Sequence, residues 1–209
     1  QIFFSNVWQG GEKAYAQTET VALTPGSDAA DLNFSWYSAG KGTPAVKVWK
    51  DGSKSSAKVV TGNAEAISAE NWQGKSYSAA NKVNIADYFE ENTQYHYQYT
   101  DNYTGDDSVW SAEYDYTTKA TDKISVILTG DPQVGASGSS SDQSANDASV
   151  ARDAYNWNKT MQQALKTCPD ASFLLSAGDQ INQSGATKDD DKKTRESEYA
   201  GYLYPSVFR

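Results

Sequence analysis

The spacing of apolar residues changes once along the chain, near residues 119–123, and this change predicts two parts with different folds. Upstream of it, apolar and polar residues alternate in short segments, at residues 31–38, 45–50, 82–86 and 95–100. Clusters of Gly, Pro, Asn and Asp separate these segments at intervals of roughly ten residues, as in all-β sandwiches. We therefore expect a β-sandwich over residues 1–118, preceded within that range by an extension at 1–17.

Downstream of the linker at 119–123, two compact apolar runs enclose a helical pattern. Residues 124–129 and 172–177 are each followed by glycine, which is typical of buried strands. Between them, apolar side chains recur at steps of three and four from Asp147 to Thr167, which predicts an amphipathic helix capped by Asn146 or Asp147. A strand, a helix and a strand in this order predict parallel strands that need cover on both faces. Residues 124–209 are thus expected to begin an α/β domain.

The charge balance excludes several classes of partner. The chain has 27 acidic and 18 basic residues, a net charge of −9, so a surface for nucleic acid is not expected. No run approaches the ~20 apolar residues of a membrane span. The high aromatic content, with 6 Trp and 14 Tyr, is typical of β-rich proteins that bacteria secrete or display at the cell surface. We therefore expect an extracellular or cell-surface protein.

Two Gly-Asp pairs follow the two predicted strands of the α/β part, at Asp131 and Asp179. Ligands of open α/β sheets bind at the carboxyl ends of strands, so both carboxylates are expected at one edge. Carboxylates that lie close together repel unless a proton or cation lies between them, and hard divalent ions favour such oxygen ligands. A single Gly-Asp pair usually only caps a turn. The matched pair, joined by a crossover helix, favours a metal site.

The residues around both pairs resemble the first two motifs of calcineurin-like metallophosphoesterases. Gly130-Asp131-Pro132-Gln133 is similar to the first motif, and residues 178–182 are similar to the second. The resemblance implies that Asp131 holds one metal ion and Asp179 bridges two, drawn from Fe, Zn, Mn, Mg or Ca. Gln133 stands where many members have a histidine ligand; it could coordinate metal, hydrogen-bond to a ligand, or do neither. Asn182 replaces the metal-bound Tyr of purple acid phosphatases, which implies a supporting role beside the ligands.

A second resemblance concerns the sandwich. Residues 89–95 are similar to the corner motif of fibronectin type III domains, in which Tyr95 would hydrogen-bond back across the corner. Trp36 stands where such domains keep a core tryptophan. A fibronectin-like domain ahead of the catalytic domain is the arrangement of purple acid phosphatases. Together the resemblances imply a phosphatase or phosphodiesterase.

The later, histidine-bearing motifs of this family are absent from the sequence. The one histidine, His96, lies on a predicted sandwich strand and is interpreted as an ordinary strand residue. We therefore expect a fragment that is inactive alone and needs the remaining C-terminal part of the catalytic domain to act on a phosphoester. The alternative is a secreted binding module, without enzymatic activity, built on a degenerate phosphoesterase scaffold.

Overall fold

The computed structural model describes residues 21–72, 75–137, 143–182 and 195–209. Its strands are β1 (Ala22–Pro25), β2 (Leu32–Ser38), β3 (Ala45–Lys50), β4 (Lys58–Thr61), β5 (Asn63–Trp72), β6 (Lys75–Ile85), β7 (Gln94–Thr100), β8 (Tyr114–Thr117), β9 (Val126–Thr129) and β10 (Phe173–Ser176). Its helices are α1 (Gln143–Thr167) and α2 (Arg195–Tyr202), with short 3-10 turns at Lys54–Ser56, Gly105–Asp107 and Ser206–Phe208. The predicted extension at 1–17 lies outside the described residues.

The first eight strands form two antiparallel sheets. One has the order β1-β2-β6-β5 and the other the order β4-β3-β7-β8. Alternate side chains of both sheets enter one buried cluster, whose members include Leu32, Phe34 and Trp36 from β2, Val46 and Val48 from β3, and Tyr95 and Tyr97 from β7. The alternation in residues 31–38 therefore predicted the buried face of β2 correctly. A mostly β architecture upstream, in two four-stranded antiparallel sheets that share this buried cluster, is confirmed.

The corner before β7 contains the hydrogen bond that the sequence predicted. The backbone N–H of Glu90 donates to the hydroxyl of Tyr95 at 2.8 Å, and Tyr95 is fully buried. Phe89 packs edge-on against the Tyr95 ring, with the two ring centroids 4.9 Å apart. A buried hydroxyl needs such a partner, so the bond and the ring packing together fix the chain at this corner.

The downstream part contains a two-stranded parallel sheet. β9 and β10 pair in parallel, with Leu128 opposite Leu175 and Thr129 opposite Ser176, and α1 connects the two strands. The predicted succession of strand, helix and parallel strand is confirmed. The predicted cap is wrong: α1 begins at Gln143, so Asn146 and Asp147 lie within its first turns. No glycine or proline in residues 143–146 stops the helix from extending upstream.

One face of this small sheet differs from the prediction. Leu128 is 69% exposed and Leu175 is 53% exposed, whereas both strands were expected to be buried. These side chains are exposed because the described part of the chain supplies only two strands to this sheet and covers only one of its faces. On that covered face, Ile127 lies beside α1, and Leu174 packs against the buried cluster that contains Trp157 and Met161 of α1.

The helices join the two parts into one packed unit. Tyr77 of β6 belongs to the same buried cluster as Trp157 and Met161 of α1 and Tyr202 of α2. The Trp157 indole N–H donates to the backbone carbonyl of Tyr202 at 3.0 Å, and the two rings stack. The sandwich therefore packs directly on the α/β part rather than only through the linker. Neither helix in the described ranges is both long and apolar enough to cross a membrane.

Candidate functional site

The segments that follow β9 and β10 run side by side beyond the ends of the strands. The N–H of Asp131 donates to the carbonyl of Gly178 at 3.1 Å, and the N–H of Gln133 donates to the carbonyl of Asp179 at 2.9 Å. An isolated parallel bridge between Val134 and Ile181 continues the pairing. Asp131 and Asp179 therefore emerge at the same sheet edge, as the sequence predicted.

Both segments have an unusual backbone. Asp131, Gln133 and Asp179 have φ values of 61°, 39° and 49°, and Gly178 before Asp179 has a φ of 111°. Residues other than glycine occupy this left-handed region infrequently, and such conformations concentrate at binding and catalytic sites. Three of the residues predicted to form the site thus share a conformation that packing and backbone hydrogen bonds must maintain.

Asp153 of α1 holds the loop that follows Gln133. Its Oδ2 accepts the backbone N–H of Gly135 at 3.0 Å and that of Ser137 at 3.1 Å. Gly135 has a φ of 104°, and a Cβ there would lie 2.1 Å from Oε1 of the fully buried Glu198. The close approach of α2 therefore requires glycine, and the path of the chain after Gln133 is fixed from two helices.

The four predicted site residues face solvent. Asp131, Gln133, Asp179 and Asn182 are all exposed. Carboxylate and amide oxygens match the preferences of hard divalent ions, so the donor set fits a metal. The structure describes two groups of three His, Asp or Glu side chains spaced for a metal, and neither includes Asp131 or Asp179. The paired segments thus place two carboxylates and one amide at the strand ends, and no third acidic or histidine side chain of the described residues groups with the two carboxylates.

One of those two groups surrounds His96 on the outer face of the second sheet. Strand pairing brings Trp49 of β3 and Asp115 of β8 opposite His96 of β7. One ring nitrogen, Nδ1, lies 2.7 Å from Asp115, and the other, Nε2, lies 2.8 Å from Asp51. Hydrogen bonds to Asp51, opposed by desolvation and reinforced by Asp115, raise the pKa of His96 above its ordinary value.

Sequence reasoning treated His96 as an ordinary strand residue and did not find this cluster. The signal that could have found it is the spacing of Glu113 and Asp115, two residues apart, because alternate residues of a strand share one face. Asp51, at the turn after β3, could be placed beside them only once the strand order was known.

A cleft of about 710 Å³ lies between the sandwich and the α/β part. Its lining is largely apolar and includes Leu23 and Tyr116 of the sandwich and Met161 and Phe208 of the α/β part. Gln180 is among its lining residues, whereas Asp131 and Asp179 are not. The cleft is therefore separate from the two strand-end carboxylates.

No model of a known protein family matches the chain, and no curated protein matches it significantly.

Proposed function

We propose that this chain carries the front part of a dinuclear metallophosphoesterase site, in a phosphatase or phosphodiesterase. The observation that supports it most is the backbone pairing of the Asp131 and Asp179 segments beyond two adjacent parallel strands. Parallel pairing directs both carboxylates to the carboxyl edge of the sheet, where α/β proteins bind ligands. The left-handed backbone at both residues adds to this support, because strain of this kind accumulates at functional sites.

Each residue has a distinct role in this proposal. Asp131 would hold one metal ion, and Asp179 would serve as a ligand shared with a second. Gln133 would offer an amide oxygen to the ion held by Asp131, and Asn182 would orient the loop beside Asp179. When bound, such an ion pair polarises a phosphoryl group and lowers the pKa of a water molecule. The contribution of this chain is to fix two carboxylates on neighbouring strands before metal arrives.

The proposed site needs ligands beyond those in this sequence. The one histidine is on β7, in the sandwich rather than at the strand ends. A C-terminal part of the catalytic domain would supply the remaining ligands and the acid for the leaving group. The proposal therefore expects no turnover by the 209 residues alone, and activity in a protein that contains both parts, outside the cell or on its surface.

The test is an Asp179→Asn variant of a protein that contains both parts. We expect hydrolysis of an aryl phosphate to fall by more than a hundredfold and the bound metal to fall by at least one ion per chain, because the bridging carboxylate is lost. Exposed Asp122, in the linker, provides a matched control, and Asp122→Asn should leave both values unchanged. Normal turnover and metal content in Asp179→Asn would refute the assignment.

A second candidate is a binding module without enzymatic activity. It is favoured by the absence, within the described ranges, of a third acidic or histidine side chain that could join Asp131 and Asp179. In that case a protein containing both parts would bind no metal at the strand ends and would hydrolyse neither phosphomonoesters nor phosphodiesters. The same metal analysis therefore separates the two candidates.

A further inference from the structure

We propose a second metal site, unrelated to the strand-end carboxylates, in which His96, Glu113 and Asp115 bind a divalent transition-metal ion such as Zn²⁺. One ligand atom from each of these side chains lies within 4.8 Å of the others. His96 Nδ1 is 2.7 Å from Asp115 Oδ1 and 3.5 Å from Glu113 Oε1. His96 and Asp115 face each other across the neighbouring strands β7 and β8, and Glu113 lies immediately before β8.

Each ring nitrogen of His96 faces a carboxylate. A neutral imidazole has one N–H donor and one acceptor nitrogen. Nδ1 lies 2.7 Å from Asp115 and Nε2 lies 2.8 Å from Asp51, so a neutral ring can donate to only one of these carboxylates and turns a lone pair toward the other. Acceptors that face each other repel, so either a proton or a metal ion must lie between them. A metal ion beside Nδ1, with Nε2–H donating to Asp51, would remove this repulsion.

Asp51 gives His96 the environment of a metal-bound histidine. Histidine ligands commonly donate their second ring N–H to a carboxylate, which fixes the tautomer and orients the ring. Asp51 Oδ1 lies 2.8 Å from Nε2, where it can accept in this way, and the Trp49 ring stacks on the imidazole with centroids 5.9 Å apart. The His96 side chain is only 13% exposed, so its orientation is held from both sides before any ion binds.

The charges around the cluster suit one divalent ion. Glu113, Asp115 and Asp51 carry three negative charges, and Lys54 Nζ contacts Glu113 Oε2 at 2.8 Å. Lys54 thereby occupies the second oxygen of Glu113 and leaves Oε1 directed toward His96. Because Asp115 is 72% exposed, its side chain can move to open the 2.7 Å gap to the roughly 3 Å that separates ligands of one zinc ion.

The ligand types favour a borderline transition metal over calcium or magnesium. An imidazole nitrogen suits Zn²⁺, Ni²⁺ and Cu²⁺, whereas calcium and magnesium prefer sites made only of oxygen. Three protein ligands leave a position open for water or for a group from another molecule. The proposal does not depend on the strand-end site, because its residues lie in a different sheet.

His96 is the only histidine in the chain, so its ring protons report on the site without ambiguity. The test is a titration of the 209-residue protein with Zn²⁺, monitored by the proton NMR signals of the His96 ring and by calorimetry in two buffers. We expect the signals to shift until one equivalent is bound at this site. We also expect calorimetry to give the same stoichiometry in both buffers.

Substitutions distinguish the proposed metal ligands from the residues around them. Asp115→Asn and Glu113→Gln should each weaken the binding that shifts the His96 signals by at least tenfold. Asp51→Asn should weaken it by about 10- to 100-fold, the range found when an outer hydrogen-bonding partner of a metal ligand is removed. Exposed Asp106 lies outside the cluster, and Asp106→Asn serves as the control that should bind like the unaltered protein.

Two results would overturn the proposal. One is a His96 spectrum that stays unchanged in a tenfold excess of Zn²⁺. The other is a shift of equal size and affinity in Asp115→Asn. A chain carrying both Asp131→Asn and Asp179→Asn should keep the His96 response, so loss of metal at the strand ends cannot be mistaken for loss of this site.

Discussion

Asp153 provides a quantitative test of how the candidate site is held. Its carboxylate accepts two backbone N–H groups of the loop that follows Gln133. In Asp153→Ala, the partly buried N–H of Gly135 loses its acceptor, at a cost of about 1–3 kcal/mol. The N–H of Ser137 is exposed and can turn to water, so its loss costs about 0.5–1.5 kcal/mol. Together they predict a loss of about 1.5–4.5 kcal/mol in the free energy of local opening.

Amide hydrogen exchange measures this free energy directly. Because each 1.4 kcal/mol is a factor of ten, the Gly135 amide should exchange about 10- to 1,500-fold faster in Asp153→Ala. Amides in the sandwich core, such as that of Tyr97, should keep their rates. Gln162→Ala, at an exposed position on the same helix, is the matched control and should leave the Gly135 rate unchanged.

The same variant tests whether the loop positions the proposed metal ligands. If Asp153 acts only on local stability, Mn²⁺ binding at the strand ends will be equal in Asp153→Ala and in the unaltered chain. If it positions Asp131 and Gln133, binding will weaken together with the loss of protection at Gly135. Unchanged protection of the Gly135 amide would refute the reasoning, because it would show that the two hydrogen bonds do not hold the loop.

Two further predictions concern the sandwich. Tyr95→Phe removes the acceptor of the Glu90 N–H and should lower the free energy of unfolding by about 1–3 kcal/mol in urea denaturation. Tyr103→Phe, whose hydroxyl has no hydrogen bond to any described residue, should change it by less than about 0.5 kcal/mol; equal effects would contradict the account of the corner. The raised pKa of His96 means that the folded state binds its proton more tightly than the unfolded state. In EDTA, that stabilisation should be complete below the ordinary pKa of 6.5 and disappear as the pH rises through the folded pKa, and His96→Gln should abolish this part of the pH dependence.

The strand ends could be predicted from sequence because their signals are local. Each apolar run ends in Gly-Asp, and the helical spacing between the runs requires a parallel crossover, which brings Asp131 and Asp179 to one edge. The hydrogen bond of Tyr95 was expected from the resemblance of residues 89–95 to the fibronectin corner, and its partner at Glu90 is five residues away. Where the determinants lie within one segment or one crossover, the pattern or the resemblance identified them.

The His96 cluster was not predicted because its partners are distant in sequence. Asp115 is 19 residues and Asp51 is 45 residues from His96, and only the strand order places all three on one face. The exposure of Leu128 and Leu175 was missed for a related reason. An apolar run predicts a buried strand, but whether a second layer covers each face depends on the number of strands and helices present, which the run itself does not encode.

The most direct test of the central claim is paramagnetic relaxation by Mn²⁺ at the strand ends of the 209-residue chain. Two carboxylates on adjacent strands should retain one ion even without the remaining ligands, so substoichiometric Mn²⁺ should broaden the amide signals of Asp131, Gln133 and Asp179. Asp131→Asn combined with Asp179→Asn should abolish this broadening. Sharp signals for all three residues at millimolar Mn²⁺, or broadening that survives in the double variant, would contradict the claim that these aspartates anchor a metal centre.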